Sequence, residues 1–449
     1  MSDQELLAQI RALKLENEAL KVRLSNTPLP PSPNPLSLEE YNRYGRQMIV
    51  DMPSPIESGL PAQLKLKSAK ILIIGAGGLG SPALLYLAGA GVGTIGIVDN
   101  DIVDTSNLHR QIIHDSHRVN MLKCESAKLS IQNLNPNVNV VTYPTRLTHS
   151  NAFEIFEGYD LILDCTDTPL TRYLISDVAV KLGITVVSGS GVGTEAQLTI
   201  LNFMNMGPCY RCFFPVPPPP TSVASCSEGG VIGPCIGVMG VMMAVEAIKF
   251  IVGAYTVENF EPYLVLYSGF PGTSSGQSMR TFKMRRRQKN CACCSNEPSI
   301  TKESIESGSI NYELFCGSRN YNVCQADERI SVHEFDSAFS PRDTERAVKE
   351  NLIMLDVRPN HHYNISHLPD TVNIPLKVLK NMNGSMELLQ EVIPTVNTES
   401  EVIVLCRYGN DSQLATRLLK DEFKIGNVKD VKGGFFKYID ELDTTIPKY

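Results

Sequence analysis

The chain has no excess of basic charge: 41 Lys and Arg stand against 48 Asp and Glu, for a formal net charge of −7. A balance of that sign gives no strong electrostatic grip on a phosphate backbone, so direct binding of nucleic acid is not expected. Behind Met1 no basic stretch leads into an apolar one, so no secretory leader is expected and the cytosol is the expected compartment. Nor is there an apolar run long enough for a membrane span. Residues 231–245 carry no charge, but Glu246 and Lys249 interrupt the run before the roughly 20 residues a span needs, which leaves a buried helix as the reading. No internal repeat is visible. What remains, at 449 residues with 43% hydrophobic and 20% charged, is an ordinary globular protein with room for two or three full-sized cores.

Leu6, Ile10, Leu13, Leu20 and Leu24 recur in steps of three and four, with Asn17 at the one polar place in the series. This predicts an amphipathic helix over 3–25, either a small coiled coil or docking arm, or a helix lying on its own domain. Prolines crowd 28–35, so 1–36 reads as a helix and an extended linker. From 37 to 295 strand-like runs (71–74, 94–99, 138–143, 161–164 and 185–188) alternate with helical stretches such as 81–90 and 124–133, and 195–203 suggests a further strand. The expected fold is α/β, a doubly wound and mostly parallel sheet. Residues 296–330 are polar and irregular and read as a linker. A second α/β unit, 331–449, has strands over 352–356, 402–406 and 428–431 and a helix over 413–423.

The run Ile71-Leu72-Ile73-Ile74 breaks into Gly75-Ala76-Gly77-Gly78-Leu79-Gly80. Such a turn lets backbone amides meet phosphate oxygens at a helix N-terminus, and Asp99, 19 residues beyond Gly80, stands where a doubly wound fold places a ribose-binding acid. On these residues alone, NAD or FAD binding is at least as good a reading as ATP binding. Arg110 and Lys123 shift the balance, because two cations near a phosphate-binding turn suit a triphosphate and its departing pyrophosphate. Asp167, just past the run 161–164, lies at the carboxyl edge of a strand and suits a magnesium ion.

Together with Arg43-Tyr44-Gly45-Arg46-Gln47, Asp99-Asn100-Asp101, Ser106-Asn107-Leu108-His109-Arg110-Gln111 and Asp164-Cys165-Thr166-Asp167, these residues resemble the ubiquitin-activating-type adenylyltransferases that act on sulfur-carrier proteins. The resemblance implies a Rossmann-like fold over about 40–295 and an ATP and magnesium site at Arg46, Gly78, Asp99, Ser106, Asn107, Leu108, His109, Arg110, Lys123, Asp167 and Thr168. It also implies a homodimer in which Arg46 reaches the nucleotide of the other subunit. A carrier's C-terminal glycine carboxylate, ionised at neutral pH, needs no general base to attack the α-phosphate.

Twelve cysteines without a leader argue for metal or thiol chemistry before disulfides. Cys209-Tyr210-Arg211-Cys212 and Cys291-Ala292-Cys293-Cys294 supply two close pairs of the kind that build a four-thiolate zinc site. Cys209, Cys212, Cys291 and Cys294 keep the two-residue gap in both halves, with Cys293 as a tighter alternative partner for Cys291. A closed site of this kind is structural, and the resembled family carries structural zinc here. Cys226 follows the stiff run 217–220 in a loop of small residues, where a lone thiol is more often inert than reactive. The resemblance makes it the thiol that attacks the activated carrier.

Cys406 ends the run 402–405 and is followed by Arg407-Tyr408-Gly409-Asn410-Asp411-Ser412 and a helix. Backbone amides, a helix N-terminus and Arg407 all favour a thiolate there, against a plain buried cysteine. With Leu355-Asp356-Val357-Arg358 upstream, 331–449 resembles a rhodanese domain, whose loop cysteine carries a persulfide. A related phosphatase would need arginine where Ser412 stands. Cys124, Cys165, Cys235, Cys316 and Cys324 read as packing residues, and His361, His362 and His367 as loop or packing histidines.

The order of the parts resembles the eukaryotic family of adenylyltransferases and sulfurtransferases that serves molybdenum cofactor synthesis and ubiquitin-related modifiers. The implied reaction is ATP-dependent adenylation of a ubiquitin-like carrier, either the ubiquitin-related modifier or the small subunit of molybdopterin synthase, followed by thiocarboxylate formation. The implied catalytic residues are Arg110, Cys226 and Cys406, with sulfur from a cysteine desulfurase or another persulfide donor. The competing readings are an NAD-binding oxidoreductase fused to a rhodanese-like module, and a non-catalytic scaffold.

Overall fold

The computed structural model describes residues 13, 34–52, 56–218, 229–271, 276–316, 321–339 and 352–449. The helix expected over 3–25 (apart from Leu13), residues 28–33 and Cys226 lie outside the described residues. The chain divides into two units, Met1–Cys316 and Gly317–Tyr449.

In the first unit Ser37 caps helix α1 (Leu38–Met48), accepting from Glu40 N–H while the Glu40 carboxylate accepts from Ser37 N–H. Tyr44 is buried beneath this helix and its hydroxyl accepts from Asn135 at 2.8 Å, which fixes how α1 lies on its own unit. The sheet is built from β1 (Lys70–Ile74), β2 (Thr94–Val98), β3 (Asn139–Tyr143), β4 (Leu161–Asp164), β5 (Thr185–Val192), β6 (Glu195–Leu201), β7 (Tyr263–Ser268) and β8 (Met279–Lys283). Its order is β3-β2-β1-β4-β5-β6-β7-β8, parallel as far as β5 and antiparallel from there on.

Alternation along β1 feeds two cores. Ile71 and Ile73 pack toward α2 (Gly80–Ala90), α3 (Lys123–Leu134) and α5 (Gly233–Ile251), whereas Leu72 and Ile74 pack toward α4 (Pro169–Leu182). Each of these side chains, removed from water, contributes about 1.5–3 kcal/mol. Helix α5 is the uncharged stretch noted in the sequence; it is long and apolar enough to cross a membrane, but Met239, Met243 and Ala247 are fully buried in the core. Strand order reverses between β1 and β4, and the loops leaving their carboxyl ends open a crevice there, where open sheets of this kind bind ligands.

The expected linker over 296–330 is narrower in the structure. Ile300, Ile305 and Tyr312 are buried in the first unit's core, and short helices Lys302–Glu306 and Tyr312–Cys316 carry the last two. At its other end, β9 (Arg329–Ile330) is already a strand of the second sheet. That sheet runs β11 (Val372–Asn373), β10 (Leu352–Asp356), β12 (Glu401–Leu405), β13 (Asn427–Val431), β9, all parallel. Cys406 leaves the central strand β12, just before α6 (Asp411–Asp421), with α7 (Gly434–Glu441) following β13.

Candidate active sites

A cleft of about 800 Å³ lies at the carboxyl ends of β1, β2 and β4. Six of the residues expected to hold a nucleotide line it: Gly78, Asp99, Arg110, Lys123, Asp167 and Thr168. The turn after β1 is tight enough that a Cβ on Gly80 would lie 2.0 Å from the Gly75 carbonyl oxygen, so no other residue fits there without moving the turn. Asp99 braces it, accepting from Ala76 N–H at 2.8 Å and from Asp101 N–H at 2.9 Å. Burial raises the Asp99 pKa above the usual carboxylate range, with the nearby Lys123 charge opposing. Lys123 opens α3, nearly buried, and its Nζ donates to Asp101 Oδ2 at 2.9 Å.

Ser106, Asn107 and His109 do not line the cleft; they stand behind Arg110. The Arg110 guanidinium donates to Asn107 Oδ1 at 2.5 Å, to His109 Nε2 at 2.7 Å and to the Ser106 carbonyl at 3.4 Å. His109 is held below its ordinary pKa, first by burial and then by the Arg110 charge, so its ring stays neutral and can accept. These contacts fix the direction of the cation before anything binds. Leu108 lies outside the lining, and so does Arg46, exposed on α1.

Sequence reasoning missed Arg172. It is buried one turn into α4, lines the cleft, and donates to the Thr166 and Gly189 carbonyls, so it pins the Asp167 loop to β5. The Thr168 hydroxyl caps that helix, so Thr168-Pro169 marks in the sequence where α4 begins, one turn before Arg172. Gln111 also lines the cleft and keeps a buried Oε1 with no hydrogen-bond partner, which leaves an acceptor for a bound group.

Cys209, Cys212, Cys291 and Cys294 meet, with all four sulfurs within 4.8 Å of one another. Three of the separations are 3.4, 3.5 and 3.9 Å, close to the edge of a tetrahedron of thiolates around one ion. The four buried thiols fit a structural metal, and they leave no room for a water ligand. Cys293 is not one of the four; its sulfur lies 3.9 Å from the Asp177 carbonyl. Arg211, between Cys209 and Cys212, makes a bidentate pair with fully buried Asp177, whose other contact is the Tyr312 hydroxyl at 2.9 Å. Tyr210, its neighbour, lines the cleft, so the cysteine cluster braces one cleft wall.

In the second unit the Cys406 thiol is buried, and Gly409 N–H donates to its sulfur at 3.2 Å. Gly409 has φ +77°, and a Cβ there would lie 2.6 Å from Gly433 N, so the loop closes only around glycine. The local donors do not win here. Burial pushes the Cys406 thiol up from its ordinary value, and hydrogen bonding from Ser412 only partly offsets it. The Arg407 guanidinium donates to the Tyr449 carbonyl and lies 4.6 Å from the Phe436 ring and 5.0 Å from that of Tyr408. His367 stacks on Tyr363, and among the described residues none of the three histidines belongs to a metal-ligating group.

The ThiF family matches residues 44–293 and the rhodanese-like domain residues 340–441. The adenylyltransferase and sulfurtransferase UBA4 of Saccharomyces cerevisiae is 64% identical over 446 residues, 99% of each chain. That of Candida glabrata is 63% identical over 449 residues, 100% of each. The chain belongs to the UBA4 family. It is an adenylyltransferase and sulfurtransferase, its ThiF unit binds ATP, and the oxidoreductase and scaffold readings fall away. UBA4 of Kluyveromyces lactis is 58% identical over 451 residues, 100% of this chain and 99% of its own. Solved structures are more distant: E. coli MccB with ATP shows 21% identity and a TM-score of 0.44 over 52% of this chain and 69% of that one.

Proposed function

We propose that the ThiF unit adenylates the C-terminal glycine of a ubiquitin-fold sulfur carrier and that the rhodanese unit then supplies sulfur to it as a persulfide. What carries the reading is that one chain joins a ThiF cleft lined by Arg110, Lys123 and Asp167 to a rhodanese loop built on Cys406. The carrier carboxylate attacks the α-phosphate of ATP and pyrophosphate leaves, with Arg110 and Lys123 taking up charge. Asp167, exposed at the cleft, would hold Mg²⁺ to shield the phosphates. Zn²⁺ is the ion that suits the four buried thiolates.

Sulfur arrives when the Cys406 thiolate attacks the outer sulfur of a donor persulfide, such as that of a cysteine desulfurase, and the donor leaves as a thiolate. The terminal sulfur on Cys406 then attacks the acyl carbon and AMP leaves, giving an acyl disulfide. Attack of Cys226 on the Cys406 sulfur releases the thiocarboxylate and leaves a Cys226–Cys406 disulfide for cellular dithiols to reduce. The alternative order has Cys226 take the acyl group first, as a thioester. The carrier is the ubiquitin-related modifier or the small subunit of molybdopterin synthase. Its thiocarboxylate serves wobble-uridine 2-thiolation of transfer RNA, conjugation to proteins, and molybdopterin synthesis, with no nucleic acid or membrane bound by this chain.

Arg46, exposed and away from the cleft of its own chain, supports a homodimer in which it completes the partner's nucleotide site. Eleven cysteines among the described residues, none of them paired in a disulfide, support a reducing compartment, the cytosol. The test is exchange of labelled pyrophosphate into ATP by the full chain. Exchange is expected with a carrier ending in a free glycine carboxylate and not with the same carrier amidated at that end; equal exchange with both contradicts the reading.

A further inference from the structure

Around Cys406 the polar contacts close into a ring that the transfer reaction by itself does not require. The Cys406 sulfur is 3.4 Å from Ser412 Oγ, and Ser412 Oγ is 3.2 Å from Asp430 Oδ2. Asp430, fully buried on β13, accepts from Arg329 Nε at 2.8 Å and from Arg329 Nη2 at 3.0 Å. Arg329, beside it on β9, also donates to the Gly409 carbonyl at 3.1 Å, and Gly409 N–H returns to the sulfur. Ser412 is fully buried, so its one hydroxyl hydrogen must choose between the carboxylate and the sulfur.

We propose that Ser412, aimed by the Asp430–Arg329 pair, is the positioning residue that sets whether Cys406 rests as a thiol or as a nucleophile. At rest the Ser412 hydroxyl donates to Asp430 and turns its oxygen to the sulfur, where it accepts from S–H. When the thiol loses its proton to solvent, the hydroxyl swings round to donate to the thiolate, and Asp430 keeps its two bonds from Arg329. Asp430 therefore competes with the sulfur for the same hydrogen and holds Cys406 in the thiol form until a donor arrives. A buried thiol held protonated is spared oxidation, which follows thiolate character. Of the other charged groups nearby, Asp411 at the start of α6 acts directly on the sulfur and disfavours the thiolate, whereas Arg407, in the loop, reaches the Tyr449 carbonyl and the Asp356–Arg358 pair at the end of β10 is closed on itself.

The proposal rests on Cys406 being the reactive thiol but is read without sulfur transfer, so its failure is separate from failure of that assignment. The experiment is the pH profile of Cys406 alkylation by iodoacetamide in the full chain, resolved by peptide mass spectrometry. Ser412→Ala removes the donor to the thiolate and is expected to raise the apparent Cys406 pKa by about one to two units, slowing alkylation at neutral pH about tenfold or more. Asp430→Asn removes the carboxylate charge that draws the Ser412 hydrogen, frees that hydrogen for sulfur, and is expected to lower the pKa by about one unit. Loss of packing or order would move both variants the same way, so the opposite signs are the signature. Because Asp430→Asn weakens the Arg329 pair, Ser412→Ala decides alone if the other variant does not fold: an unchanged or lowered pKa overturns the proposal. An upward shift in Asp430→Asn overturns it as well, since the carboxylate would then be drawing the proton away from sulfur.

Discussion

Cys406→Ser is expected to abolish thiocarboxylate formation, by roughly 10³-fold or more, while leaving pyrophosphate exchange at the wild-type rate. The serine oxygen keeps the size of the side chain and a contact with Gly409 N–H, so the loop, closed by Gly409 against Gly433, has no reason to open. What it cannot do is form and hand on a sulfur–sulfur bond. Exchange is spared because Cys406 belongs to a unit with its own sheet and cores, apart from the unit that holds the nucleotide cleft. The check is to run both assays on one preparation. Loss of both activities would mean that the two units do not work as separable centres.

Arg110→Ala is expected to lower carrier-dependent exchange at saturating ATP by about 10²–10³-fold, the scale on which a preorganised donor to developing charge acts. Its guanidinium is held by Asn107, His109 and the Ser106 carbonyl before nucleotide enters, so no reorganisation is required during the reaction. Arg110→Lys should recover little, because an ammonium cannot keep three partners in that fork and also face the cleft. Asn107→Ala leaves the charge and removes one anchor, so its loss should be smaller than that of Arg110→Ala. Steady-state exchange kinetics of the three variants give this ranking directly, and wild-type rates in Arg110→Ala would remove it from the site.

How much of this was legible in the sequence depends on which faces are buried. β1, β2 and β4 lie inside a parallel sheet and read as unbroken apolar runs, so they stand out, as does the glycine turn that β1 feeds. β8 gave no such signal, because all five of its residues, Met279–Lys283, are exposed on a sheet edge and two of them are basic. Residues 296–316 read as linker because most of them are polar; the apolar ones that are buried, Ile300, Ile305 and Tyr312, are spaced too irregularly to suggest a core. The cysteine spacing carried the four-thiol cluster, since two residues between ligands already fixes their reach. The division of labour around Arg110 was not legible, because a motif shows which residues travel together and not which of them stand behind another. The protonation of Cys406 is not legible for a related reason: the loop donors are local in sequence, whereas the burial that outweighs them comes from residues far apart along the chain, those of β10, β12 and α6 among them.

The central claim is that the two units act in sequence on one carboxylate. Its most direct test is intact-mass spectrometry of the carrier after incubation with the full chain, ATP, Mg²⁺ and a persulfide donor. The account predicts replacement of one oxygen by sulfur at the carrier's C-terminal glycine, dependent on ATP and absent with Cys406→Ser. Sulfur on the carrier without ATP, or undiminished sulfur on it with Cys406→Ser, would contradict the account.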